Sequence, residues 1–263
     1  MKLSRRKFMK IAGVSAAGLT AAVTGVAPLT GIAAEEVKGP AYQAKGLTAK
    51  RWGMAMFVNR LQDPALIKQI AESCHKPHNV PNIPGDQEIK WIWADSYAKS
   101  FPDSLAETAK DHNFEDLMSK RFLLLCNHCE NPACTKVCPT GATFKREDGI
   151  VVMDPHRCMG CRYCMVGCPY GARSFNFHNP SDFLEDVNQR YPRRMRGVVE
   201  KCNFCTERLA EGKLPYCVEA SDGAIVFGDL GDRDSEISKL LRENYSLLRK
   251  PSLGTGPNVY YII

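Results

Sequence analysis

Eleven of the twelve cysteines in this 263-residue chain fall in three clustered arrays. Cys126, Cys129, Cys134 and Cys138 form C-x2-C-x4-C-x3-C-P, and Cys158, Cys161, Cys164 and Cys168 form C-x2-C-x2-C-x3-C-P. Cys202, Cys205 and Cys217 make a third set without a fourth member, and Cys74 stands alone well upstream. Such spacing puts three thiols on one short tight loop, while the next turn carries the last thiol away. Pro139 and Pro169 follow the last cysteines of the two complete arrays, where proline ends a local helix and sets the exit direction.

The second array is the ligand run of bacterial ferredoxins, in which the fourth cysteine serves the other cluster of a pair. Zinc sites use two C-x2-C pairs for one tetrahedral ion, and triplets with three-residue tails fit that ion poorly. Exported cysteines often pair as disulfides, but a chain of this length buries a core without such a framework. No C-x-x-C-H string occurs, so covalent haem attachment is not indicated. Twelve thiolates suffice for three [4Fe–4S] clusters with none left over.

The ferredoxin crossing rule then groups the ligands. Site A takes Cys126, Cys129 and Cys134 with Cys168. Site B takes Cys158, Cys161 and Cys164 with Cys138. Site C takes Cys202, Cys205 and Cys217 with Cys74. Completing the two partial runs would require cysteines at Pro64, Ile67, Ile70 and Ser221. By the same rule those positions belong together, as one fourth site lost whole, with Ile67 and Ile70 filling the space. If Cys74 were only a buried thiol, site C would keep three ligands.

The strings CNHCENPAC, CMGCRYCMVGCPYGAR, GVVEKCNFC, CVEASDGAIVFGDL and GPNVYY resemble the four-cluster, ferredoxin-type subunits of the DMSO reductase and NrfC-like family. They span nearly everything from Arg121 to the end. The reduced first run, Ser221 and CHKPHNVP look like the DsrO-type branch, found in Dsr transmembrane complexes of sulfur and sulfate metabolism. The resemblance implies an electron-transfer subunit with no substrate site of its own. It also implies an NrfD-type membrane subunit and a multihaem cytochrome c as partners, in a respiratory complex linked to the quinone pool. The alternatives are a subunit feeding a molybdopterin oxidoreductase and a zinc- or disulfide-stabilised interaction protein.

Ser4, Arg5, Arg6, Lys7 and Phe8 open a twin-arginine export signal, and small residues from Gly31 to Ala34 suit a peptidase. Export of a folded, loaded cluster protein uses that route, so residues 1–34 are expected to be a signal and the mature chain extracytoplasmic. The 24 uncharged residues from Ile11 to Ala34 would just span a bilayer if retained. Their Ala, Gly, Ser and Thr content argues for cleavage instead. Removing residues 1–34 leaves 30 basic against 29 acidic residues, so the apparent basicity belongs to the signal. Each oxidised cube with four thiolates carries −2, which brings a loaded mature chain to about −5. Nucleic-acid binding has no support.

Residues 35–263 are expected to form an α+β domain of two ferredoxin-like halves, with loop insertions and a C-terminal helix. One half would hold sites A and B, the other site C and the vacated position. Alternation of Met54, Met56 and Val58 predicts a strand, and Pro64 to Ser73 a helix. Val80 to Pro102, with Trp91 and Trp93, reads as an irregular excursion whose aromatics could dock a partner but more often simply pack. ATFKREDGIVVMD predicts a hairpin turning at Gly149, and Phe122–Leu125, Ala172–Phe177, Gly197–Glu200 and Ala224–Phe227 predict short strands. Ser235–Asn244 has helical periodicity. Arg193, Arg194, Arg196 and Lys201 could steer an acidic partner or offset cluster charge, but a solvated basic loop is the commoner meaning of such a run. His75, His78 and His128 lie beside ligand cysteines and either tune potential or pack. Met159, Gly160, Tyr163 and Val166 are expected to shield the site loops. No nucleophile–base pair, phosphate loop or Rossmann string occurs.

Overall fold

The computed structural model describes residues 46–104 and 114–263, so the expected export signal lies outside the described residues. β1 (Trp52–Phe57) leads into α1 (Pro64–His75). Next come β2 (Ile92–Ser96), α2 (Tyr97–Ser100), α3 (Phe114–Ser119) and β3 (Arg121–Leu125). The first array holds α4 (Ala133–Lys136) and runs into β4 (Thr143–Lys145) and β5 (Val151–Met153). The second holds α5 (Tyr163–Val166) and is followed by β6 (Ser174–Phe175) and β7 (Val199–Glu200). The third is built on α6 (Thr206–Ala210) and α7 (Tyr216–Glu219), before β8 (Ile225–Asp229), α8 (Glu236–Glu243), β9 (Ser246–Leu247) and β10 (Val259–Ile262).

The largest sheet has the order β8-β1-β10-β9. β1 runs antiparallel to β8 and parallel to β10, with Met54 opposite Val259 and Phe57 opposite Ile262. The alternating pattern proposed for this strand is incomplete, because Ala55 is as buried as Met54 and Met56. The two methionines face the main core, while Ala55 packs with Ile237 and Ile262 beneath α8. That helix starts where the Ser235 hydroxyl accepts from the Ser238 amide at 3.3 Å, and it turns Ile237, Leu240 and Leu241 onto the sheet.

Two stretches differ from their sequence reading. Residues 80–102 are not all irregular: β2 pairs antiparallel with β3, Ile92 opposite Leu125 and Ser96 opposite Arg121. The prolines flank this strand rather than interrupt it, so the apolar run of β3 finds a full partner. The chain also continues past α8, and its GPNVYY segment supplies β10, an interior strand of the sheet. The expected hairpin is β4–β5, with Gly149 at a φ of +84° in its turn.

α1 begins at Pro64, with Asp63 accepting from the Ala65 amide at 2.9 Å, and it packs on α7. Ile70 is fully buried in the main core and Ile67 packs half-buried against it. The Ser221 hydroxyl donates to the Val218 carbonyl at 2.7 Å and accepts from the Ile225 amide at 3.0 Å. These positions do ordinary packing and turn-closing work. Among the described residues no helix is long and apolar enough to cross a membrane.

Candidate functional site

In the first C-x2-C segment of each array the residue before the second cysteine has a left-handed backbone. His128 has a φ of 42°, Gly160 of 76° and Phe204 of 55°. That reversal bends each loop tightly, at a strain that side chains other than glycine rarely bear. At position 160 a side chain is also excluded by space, since a Cβ would lie 2.3 Å from the Gly197 carbonyl oxygen.

The loops gather the cysteines in three sets. Cys126, Cys129, Cys134 and Cys168 line one cavity. Cys138, Cys158, Cys161 and Cys164 line another. Cys74, Cys202, Cys205 and Cys217 are buried, and the last three raise the Cys74 thiol pKa further after burial has raised it. Cys168 therefore stands with the first array and Cys138 with the second. The sets differ in exposure. Set C is wholly buried, whereas Cys161 is exposed. Met159, Tyr163 and Val166, expected to shield the loops, are exposed and form an apolar rim on the set B loop.

All twelve thiols are free. Burial pushes Cys129 and Cys217 up to about 12, and holds Cys205 well above the usual range. Cys138 shifts the other way. Its burial would raise it, but hydrogen bonds from the Thr143 amide and from Thr140 bring it below the usual value. Metal binding is what draws such protons off. Among the described residues no three thiol sulfurs lie within 4.8 Å of one another. Tetrahedral zinc would hold its sulfurs about 3.8 Å apart, given Zn–S bonds near 2.3 Å. A cube, binding each thiolate at a separate iron, takes the wider spacing. Asn127, in the wall of cavity A, is 1% exposed and both its amide nitrogen and its oxygen lack partners. A cluster sulfur there would accept from that nitrogen. The residues fit the group.

One tighter group, His78, Cys205 and Glu207, does fall within 4.8 Å. Both imidazole nitrogens are already engaged, Nδ1 at 2.6 Å from the Cys74 carbonyl and Nε2 at 2.7 Å from Glu207 Oε1. His78 orients the Cys74 backbone. His75 is pushed down to about 4, by burial first and His78 second. His128 is lowered by burial, then by Lys201 and Arg173.

A family model described as a 4Fe-4S dicluster domain matches residues 120–181, which contain both complete arrays. Over 281 aligned residues the chain is 38% identical to Hdr-like menaquinol oxidoreductase iron-sulfur subunit 1 of Archaeoglobus fulgidus, a match covering 98% of this chain and 97% of that protein. The chain belongs to that family of iron–sulfur subunits. It is also 49% identical over 138 residues to a putative dimethyl sulfoxide reductase iron-sulfur subunit of Halobacterium salinarum, covering 52% of the chain and 53% of the relative. Protein NrfC of Escherichia coli is 40% identical over 152 residues, covering 57% of the chain and 60% of NrfC.

The iron–sulfur subunit holds functional side chains that spacing did not single out. Arg173 is 5% exposed, and its Nη2 donates to the Cys134 sulfur at 3.0 Å. The basic loop also departs from its solvated reading, because Arg194 and Lys201 are buried. Arg194 pairs with Glu200 at 2.7 Å and lies over the Trp91 ring, whose Nε1 donates to the same carboxylate at 3.0 Å. Trp91 thus packs, as expected. Arg193 and Arg196 remain exposed. No linear signal separates the buried from the exposed members of this run, since partners such as Glu200 and Trp91 arrive only through the fold.

Proposed function

We propose that this chain is an electron-relay subunit with three [4Fe–4S] clusters, held by sets A, B and C as grouped above. When bound, each cluster supplies a one-electron redox centre. The observation that carries this reading is the gathering of the twelve thiols into three sets of four, with no three sulfurs among the described residues within the 4.8 Å that one zinc ion would need. The chain's own part is to bury the centres unequally. Set C is enclosed, and set B opens through Cys161 onto an apolar rim suited to a redox partner. We read the architecture as two ferredoxin-like halves, with the position around Pro64, Ile67, Ile70 and Ser221 as a vacated fourth site.

In this reading the subunit works outside the cytoplasm, exported folded behind residues 1–34. It passes electrons between a quinone-interacting NrfD-type membrane subunit and a multihaem cytochrome c, in a complex linked to sulfur metabolism. The near full-length likeness to a menaquinol oxidoreductase subunit supports this over a molybdopterin oxidoreductase, since the dimethyl sulfoxide reductase relative matches only half the chain. An iron count and EPR redox titration of the anaerobically purified protein test it. About twelve irons per chain are expected for three cubes. A colourless, iron-free protein ends the electron-transfer reading, and co-purifying molybdenum without haem replaces the partner assignment.

A further inference from the structure

Among the described residues two buried cations lie beside the cysteine sets without a carboxylate partner, Arg173 at the Cys134 sulfur and Lys201 at the Cys202 carbonyl. Arg173 is 5% and Lys201 3% exposed, and among the described residues neither takes part in a salt bridge. The other buried arginines are compensated differently: Arg194 pairs with Glu200 and Arg208 with Glu219, while Arg249 lies over the Tyr170 ring. An unpaired buried cation is strongly destabilising, so its retention calls for an anion close by.

The positions of the two cations say which anion. Arg173 lines cavity A and donates to Cys134 there. Its other nitrogen donates to Thr143 Oγ1 at 3.1 Å and lies 3.7 Å from the Met153 sulfur, and both of those residues line cavity B. The same guanidinium acts on the Cys164 thiol of set B, against the burial that raises it. Lys201 sits at the other junction. Its Nζ donates to the Cys202 carbonyl at 2.7 Å, in set C, and to the carbonyl of Val151, which lines cavity A.

We propose that Arg173 and Lys201 are the resident countercharges of the relay, each shared by two neighbouring cluster sites: Arg173 by A and B, Lys201 by A and C. This rests on the three-cluster reading above. Each loaded site gains one negative charge on reduction, so a fixed cation beside it favours the reduced form and raises its potential. The two cations converge on site A. They also screen each site from the charge of its neighbour, which lets adjacent sites be reduced together.

The test is a redox titration of the anaerobic full chain, followed by EPR, with site B assigned through Cys138→Ser and site C through Cys74→Ser. Arg173→Gln is expected to shift the reduction equilibria of A and B at least tenfold towards the oxidised form, 59 mV for a one-electron couple, and to spare C. Lys201→Met is expected to do the same at A and C and to spare B. Arg173→Lys and Lys201→Arg, which keep the charge, should stay within threefold of the parent at every site. Uniform shifts at all three sites, or none, overturn the proposal while the iron count upholds the cluster reading. A parent without iron overturns that reading instead. Should either neutral variant fail to load its clusters, the charge-keeping variants decide, and a tenfold shift in them overturns the countercharge role.

Discussion

His128 and Phe204 stack face to face, their ring centroids 3.6 Å apart and their planes 20° from parallel. Each precedes the second cysteine of a C-x2-C segment, and each has a left-handed backbone. The stack therefore joins the loop of set A to the loop of set C, and two strained residues hold one another in place. Phe204 also meets Phe227 edge-on at 5.2 Å. Phe204→Ala is expected to lower the stability of the loaded protein by about 3–5 kcal/mol, the usual cost of removing a buried phenylalanine. Denaturant midpoints of the two proteins measure it, and a loss under about 1 kcal/mol would mean that the ring is not a joint between the loops.

Gly160 is the member of this left-handed set that cannot carry a side chain. Gly160→Ala drives a Cβ against the Gly197 carbonyl at a φ of +76°, so the segment from Cys158 to Cys161 must shift. The expected result is loss of about four irons and of the site B signal alone. Retention of all irons with an unchanged spectrum would refute the prediction.

The arrays were legible because ligand geometry on a tight loop is local, so spacing alone grouped Cys126, Cys129 and Cys134 apart from Cys138. α1 and α8 were legible through their caps and periodicity, with Pro64 and Ser235 at their starts. β10 was not. Its partner β1 lies about two hundred residues earlier, and a parallel pairing leaves no turn signal to read. The burial of Lys201 is hidden in the sequence for a related reason. A lysine in a basic run looks solvated until the fold brings the Val151 and Cys202 carbonyls to its ammonium.

Glu200 anchors the polar cluster beside Lys201. It is 3% exposed, pairs with Arg194 at 2.7 Å, and accepts from Trp91 Nε1 and from the Asn176 amide. Glu200→Ala strands the Arg194 charge in the interior, an expected loss of about 3–5 kcal/mol. Combining it with Arg194→Met should recover much of that loss, because no unpaired charge remains. Urea unfolding of the single and double variants checks this, and strict additivity of the two substitutions would show that the pair is not coupled.

His75 gives the stability a pH dependence of known sign. Its pKa near 4 in the fold lies below the ordinary 6.5, chiefly because it is buried. A depressed folded pKa contributes stability that is fully present above 6.5 and is lost as pH falls towards 4. Between those values the slope approaches about 1.4 kcal/mol per pH unit. Urea midpoints at several pH values should fall with acidification in the parent, and less steeply in His75→Gln. Parallel profiles would mean that His75 takes up no proton on unfolding.

Cys74 decides whether set C is a complete site. It sits at the end of α1, 5% exposed, with its carbonyl held by His78 and its thiol facing Cys202, Cys205 and Cys217. A serine there is nearly the same size, so the core around Ile70 should survive and the effect should fall on metal binding. Cys74→Ser is expected to reduce the iron content from about twelve to about eight per chain, with the signals of sites A and B retained. Twelve irons in the variant would require a fourth ligand from elsewhere. Loss of the site A signal as well would mean that A and C assemble as one unit, consistent with the His128–Phe204 joint between their loops.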